Sequence, residues 1–352
     1  MKRITLLLTV MASALLVASG VAWAVNKTCP PHLQVCSGTS GADVLKSTSQ
    51  DNNMYGKGGN DSHSNWVRRN SHAELMIAAD EQPPSASVSP LIVGGTQVPN
   101  GKYPFMVAIL DKRKPGGALQ EFRCAGTLID KDSVLTAAHC FFTSKGYFAG
   151  GLRLVVVVGR TDLTQNQGQI HLISAIFIHP DYDPPKPNSS PNNKKVSWGG
   201  YDVAVLNLER AVTGIKPIKL ATAKQNDLEN PGTLLTVTGW GIMNPGGQPP
   251  ILPHRMREGS LSVVSDSQAK RAYSSVSPYQ FLPYFPSLMV AAAKKGKDTC
   301  RGDSGGPLFD SESRTQVGIT STGKIGRGGC GAAGYPGVYT EVNNPEIRNW
   351  IF

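Results

Sequence analysis

A chain of 352 residues, 40% hydrophobic and 17% charged, has enough apolar material for one large or two modest packed domains and is not a charge-rich disordered chain. Thirty-eight glycines and twenty-five prolines imply many turns and favour β structure over long helices. The net charge of +10 invites a nucleic-acid or anionic-membrane partner. However, the basic runs "KRK" at 112–114 and "AKKGK" at 293–297 read as solvated loops, and no nucleic-acid-binding motif accompanies them.

In chain order, Lys2 and Arg3 precede the apolar stretch "ITLLLTVMASALLVASGV", and Ala22-Trp23-Ala24 supplies a small-residue cleavage site. Residues 1–24 therefore read as a signal peptide that exports the protein to the periplasm or medium. A membrane anchor is the weaker reading, because the apolar core is short, and no other segment is long and apolar enough to span a bilayer. Residues 25–91 are rich in Ser, Asn, Gly and Asp and end in the Pro/Ser linker "EQPPSASVSP" at 81–90, which predicts a largely irregular pro-segment. From residue 92 onward, twelve short β-branched runs recur between Gly/Pro/Asn turns: 105–111, 124–130, 133–140, 152–159, 173–179, 202–209, 233–241, 259–265, 287–293, 306–311, 315–322 and 337–342. Only the tail, 344–352, has a helical look, so the reading is an all-β barrel or sandwich domain over 92–352 with a short C-terminal helix. One long Pro/Asn-rich loop, 180–200, interrupts the rhythm.

The six cysteines fall in three close sets, Cys29/Cys36, Cys124/Cys140 and Cys300/Cys330, which suits an oxidising compartment. Counting alone does not choose their connectivity, and no C-x-x-C spacing points to a metal.

Three motifs carry chemistry: "TAAHC" at 136–140, "YDVAVLNL" at 201–208 and "CRGDSGGPL" at 300–308. A serine hydroxyl becomes a nucleophile when a base takes its proton as it attacks, and histidine titrates in the right range to do so. A carboxylate then holds the imidazole in one tautomer and stabilises its cation. Glycines around Ser304 permit a tight turn that aims the N–H groups of Gly302 and Ser304 at one spot, where an oxyanion would sit.

Together with "IVGG" at 92–95, "TGWG" at 238–241 and "PGVYT" at 336–340, these motifs resemble the trypsin-like (chymotrypsin-fold) serine proteases over residues 92–352. The resemblance implies two six-stranded antiparallel barrels with the active site between them. It implies a triad of His139, Asp202 and Ser304, with Ser321 supporting the aspartate. It pairs Cys124 with Cys140 and Cys300 with Cys330; Cys29 and Cys36 are expected, separately, to form a local loop that caps the pro-segment. Two further family bridges are absent: Leu235 and Asp310 stand at one pair of positions, and Ala291 at one position of the other. Asp298, six residues before Ser304, matches the acidic floor of the primary specificity pocket, and Gly323 and Gly337 match the glycines of its walls. The implied activity is a monomeric secreted endopeptidase that cuts protein substrates after Arg or Lys and requires no cofactor. A protease-fold binding protein without turnover is the alternative, disfavoured by the intact triad, oxyanion loop and pocket acid.

The resemblance also implies a zymogen in which cleavage frees the α-amino group of Ile92 to pair with Asp303. Leu91 stands where most relatives have Arg or Lys, so an activating protease of apolar preference is expected. Thr322 replaces the family's usual tryptophan beside the substrate backbone. Within the pro-segment, "GTSGADVL" and "GKGGNDSH" (38–61) resemble RTX calcium-binding repeats, with Asp43 and Asp61 as ligand candidates. A Gly/Asn-rich propeptide without bound calcium is the second reading of the same residues.

Overall fold

The computed structural model describes residues 92, 94–143, 146–149, 153–184, 200–245, 249–274, 284–323 and 329–352, and the backbone of four short strands before residue 56. The expected signal peptide, Cys29 and Cys36, Asp43 and Asp61, Leu91, and positions 185–199 of the long loop lie outside the described residues. The four short strands form two parallel pairs: Lys27–Thr28 with Leu45–Lys46, and Val35–Ser37 with Asn53–Tyr55.

From residue 92 the β-branched runs become strands, because alternating side chains bury one face against a shared core. The first barrel is built from β2 (Met106–Asp111), β3 (Phe122–Leu128), β4 (Ser133–Thr136), β5 (Leu154–Val158), β6 (Gln169–Ile178) and β7 (Ala204–Leu208). It closes in the order β6-β7-β4-β3-β2-β5, with every pairing antiparallel. The second contains β9 (Leu234–Gly239), β10 (Arg257–Val263), β11 (Met289–Ala293), β12 (Pro307–Asp310), β13 (Thr315–Thr322) and β14 (Gly337–Glu341). It runs β13-β12-β9-β10-β11-β14 and closes through the β13–β14 pairing. Two short strands attach to it: β1 (Thr96–Gln97) pairs with β10, and β8 (Lys219–Leu220) runs parallel to β13. The expected pair of six-stranded barrels is thus the architecture.

Leu235 and Ala291, which the resemblance sets at missing-cysteine positions, are buried in the second barrel, and Asp310 is partly exposed. Phe105 of the first barrel meets Phe309 of the second edge-on at 5.6 Å, and the buried Thr127 hydroxyl donates to Gln316 Oε1 at 2.8 Å. These contacts fix the two barrels against one another and so fix the cleft between them.

The C-terminal helix, Pro345–Ile351, is present, capped by Asn344, whose side chain accepts from the N–H groups of Glu346 and Ile347. The expectation of no other helix is corrected by α2 (Asp266–Ser274) and by α1, a single turn at Ala118–Glu121. α2 starts at a capping box: Ser265 Oγ accepts from Gln268 N, and Gln268 Oε1 accepts from Ser265 N. It buries Ala269 and Tyr273, four residues apart, against the second barrel.

Candidate active site

His139 sits in a 3₁₀ turn, Ala138–Phe141, that begins as β4 ends. Ala138, Cys140 and Phe141 are buried, and the Cys124–Cys140 disulfide ties the turn to β3, so the imidazole has a fixed base. Asp202, 2% exposed, lies just before β7. Its Oδ1 accepts from the backbone N–H of His139 at 2.8 Å, and its Oδ2 lies 2.6 Å from His139 Nδ1. Ser321 Oγ also donates to Oδ2 at 2.6 Å, and Thr340 Oγ1 donates to the Asp202 carbonyl at 3.1 Å. The aspartate belongs to the first barrel and both hydroxyls to the second, so the pair is gripped across the cleft.

This arrangement directs the Nδ1 proton at the carboxylate and leaves Nε2 to act as a base. Burial pushes His139 toward the neutral form, but the charge and hydrogen bond of Asp202 outweigh it and hold the pKa above its ordinary value. Burial likewise penalises the Asp202 carboxylate, and His139 and Ser321 more than offset this, so it stays below the usual carboxylate range.

Ser304 occupies a turn closed by Asp303 N to Cys300 O and Gly306 N to Asp303 O, both 2.9 Å. Its carbonyl accepts from Ala125 N on β3 at 2.9 Å, and the sulfur of Cys140 lies 3.9 Å from the same oxygen. Gly305, at φ +80°, donates to Thr320 O on β13 at 2.8 Å. A Cβ there would stand 2.1 Å from Thr136 Oγ1, so only glycine fits. Ser304 Oγ makes no hydrogen bond to His139. The N–H groups of Gly302 and Ser304 have no acceptor among the described residues and remain available to a ligand. Cys124, His139 and Cys140 bring three donor atoms together, but the two sulfurs are bonded to each other and supply no thiolate for a metal.

Asp298 is 6% exposed. Its Oδ1 accepts from Thr299 N at 2.9 Å and its Oδ2 from Gly331 N at 2.7 Å. The Cys300–Cys330 disulfide brings that second donor within reach. Burial raises its pKa to about 6 despite these two bonds. A Cβ on Gly337 would stand 2.8 Å from Asp298 Oδ1, whereas one on Gly323 would meet open space. Gly337 therefore keeps a side chain off the carboxylate.

Asp303 is 1% exposed and accepts from Gly241 N at 2.8 Å and Cys300 N at 2.9 Å. No cation among the described residues pairs with it, and burial raises its pKa to about 7. Ile92 is fully buried at φ +37°, a backbone region β-branched residues avoid. Its side chain approaches Gly259 on β10, the strand beside the β9 end that carries Gly239 and Gly241 against Asp303. Gly94 follows at φ +84°, where a Cβ would stand 2.0 Å from Gly296 O.

The structure brings His139, Asp202 and Ser321 into direct contact, places Ser304 beside the histidine's disulfide, and sets Asp298 and Asp303 as separate buried carboxylates. Sequence reasoning missed Thr340, Thr299 and Gly331. The last two act through backbone N–H groups, which residue type does not reveal.

The trypsin family model matches residues 92–351. "Trypsin" from Saccharopolyspora erythraea is 35% identical over 253 residues, 71% of this chain and 93% of the relative. "Trypsin 5G1" from Aedes aegypti is 34% identical over 266 residues, 74% of this chain and 83% of the relative. Among solved structures, neuropsin, a serine protease expressed in the limbic system of mouse brain, has a TM-score of 0.55 at 26% identity and covers 73% of this chain and 96% of its own. A two-barrel fold with a histidine–aspartate pair in its cleft defines a serine protease of the chymotrypsin fold. The chain belongs to the trypsin family. No helix among the described residues is long and apolar enough to cross a membrane.

Proposed function

We propose that the chain is a secreted endopeptidase, made as a zymogen, that cleaves after Arg or Lys through His139, Asp202 and Ser304. The observation that carries the catalytic reading is the Asp202 carboxylate shared between His139 Nδ1 and Ser321 Oγ, which leaves Nε2 as the base beside a serine turn with two unused N–H groups. In this mechanism His139 takes the Ser304 proton as Oγ attacks the carbonyl carbon. The N–H groups of Gly302 and Ser304 receive the oxyanion, and His139 returns the proton to the leaving amine. Water then repeats the sequence on the acyl-enzyme. Hydrolysis of a fluorogenic Arg peptide, lost in Ser304→Ala, tests this; a Ser304→Ala variant as active as the parent refutes it. A parent without turnover favours the silent binding protein instead.

Specificity rests on Asp298. A buried carboxylate at the end of a slot favours a cationic guest, because leaving it charged and unpaired costs several kcal/mol. Activation rests on Asp303, whose missing counter-charge the new α-amino group of Ile92 would supply. With Asp298 selecting cations, cleavage after Leu91 falls to a different protease of apolar preference. Export follows from the signal-like residues 1–24.

A calcium-binding turn in the pro-segment has one supporting regularity. Lys27 pairs with Leu45 and Val35 with Asn53, both an offset of 18 residues, and Asp43 and Asp61 are separated by the same 18. Calcium titration followed by calorimetry on the precursor, and on Asp43→Asn with Asp61→Asn, tests it. Equal heats from both overturn it.

A further inference from the structure

The hairpin joining β2 to β3 holds four cations, Lys112, Arg113, Lys114 and Arg123, and two acids, Asp111 and Glu121. Lys112 Nζ pairs with Glu121 at 2.6 Å, and the Arg113 guanidinium pairs with Asp111 at 2.8 Å. Among the described residues, Lys114 and Arg123 have no carboxylate in ion-pair contact. Lys114 Nζ donates to Phe122 O at 3.2 Å, and Arg123 Nε donates to the carbonyl of Cys140, the residue after the candidate base, at 2.5 Å. Arg123 is half-buried, and its charge is close enough to oppose protonation of His139.

The strand fixes where this charge stands. Ala125 N bonds Ser304 O, and Arg123 is two residues along the same strand, about 7 Å at the usual rise. On the opposite side of the serine turn, Gly305 N bonds Thr320 O on β13, whose neighbour β14 carries Gly337 against Asp298. The nucleophile thus separates a pocket side, β13 and β14, from a β3 side. A substrate that seats a cationic residue on Asp298, on the pocket side, would extend beyond the scissile bond toward the β3 side. Extended peptide rises about 3.3 Å per residue, so its second residue beyond the scissile bond arrives at Arg123.

We propose that Arg123, backed by Lys114, recognises an acidic side chain at the second position after the scissile bond. This rests on the catalytic and pocket assignments made above. The guanidinium keeps four N–H donors besides the one used on Cys140 and suits a bidentate carboxylate. The cleft would then read a charge pattern, a cation before the cut and an anion after it.

The test uses the secreted, active enzyme and two internally quenched peptides, alike except for Glu or Gln at that position, each with one arginine at the cleaved bond. The expected kcat/KM ratio is about tenfold in favour of Glu, the size of one charge-assisted hydrogen bond. It should shrink as salt rises. Arg123→Glu should bring the ratio below one, Lys114→Glu should lower it, and Arg123→Lys should keep part of it. Because each ratio compares two substrates on one sample, incomplete folding or activation cancels. A parent ratio within about twofold of one, or a ratio preserved in Arg123→Glu, overturns the proposal. If the parent cuts neither peptide at arginine, the pocket assignment fails, and this inference falls with it.

Discussion

At the scale of single residues, the cleft works by opposing burial with specific partners. His139 is held above its ordinary pKa only because Asp202 outweighs burial. The acid limb of kcat/KM should therefore lie above the value of a free histidine, about 6.5. In Asp202→Asn the charge is gone, and burial and the Arg123 charge act unopposed, so the limb should move below that value. The rate at its optimum should drop by a factor on the order of 10⁴, as the imidazole loses its tautomer control. A pH–rate profile of both proteins decides this; an unmoved limb would show that the pair does not set the base. At the proposed pocket floor, Asp298→Ser should abolish the expected preference for Arg over uncharged residues while sparing the active serine, measured by titration with a serine-directed phosphonate. Full turnover of Arg substrates in that variant would sink the pocket assignment.

At the scale of elements, the strands were legible because β-branched runs separated by Gly/Pro turns leave few other solutions. α2 was not legible by period, since the residues it buries are Ala269 and Tyr273, neither a strong apolar marker. The signal that finds it is the capping pair Ser265 and Gln268. The proposed triad could be read from local motifs, as each member sits in a short distinctive word. Thr340 could not, because a threonine on a strand looks the same whether it packs or braces an aspartate. Arg123 was overlooked because a single arginine on a strand carries no signal of its own, and only strand register shows how near it stands to Ser304. The Cys124–Cys140 bridge spans a separation of 16 residues, so replacing both by serine should lower unfolding stability by about 3 kcal/mol. Activity should fall at temperatures below the melting transition, since the same bridge anchors the histidine turn. Paired melting and activity curves would check both.

For the whole molecule, the uncut chain carries a buried carboxyl, Asp303, with a pKa of about 7 against about 3.9 when unfolded. Between those values the folded state holds a proton that the unfolded state has lost, so stability falls as pH rises from about 4 to about 7, by a few kcal/mol. Once Ile92 presents an ammonium group the carboxylate is paired, and this slope should vanish. Melting temperatures of precursor and mature protein should therefore diverge as pH rises, and an Asp303→Asn precursor should lack this component of the slope. Parallel curves for precursor and mature protein would refute the ion pair. A Leu91→Arg precursor should mature by itself, and the parent should need a second protease; gel analysis of secreted parent and Leu91→Arg, with and without Ser304→Ala, would show it.

Ile92 adds a mechanical consequence. Its φ of +37° is a rotation defined by the carbonyl carbon of residue 91, and strain of this kind is worth about 1–3 kcal/mol. Hydrolysis removes that carbon, and with it the torsion that was strained. In the proposed zymogen, this torsion sits at the bond that activation would cut. Resealing the peptide would restore the strain and is disfavoured by about the same 1–3 kcal/mol.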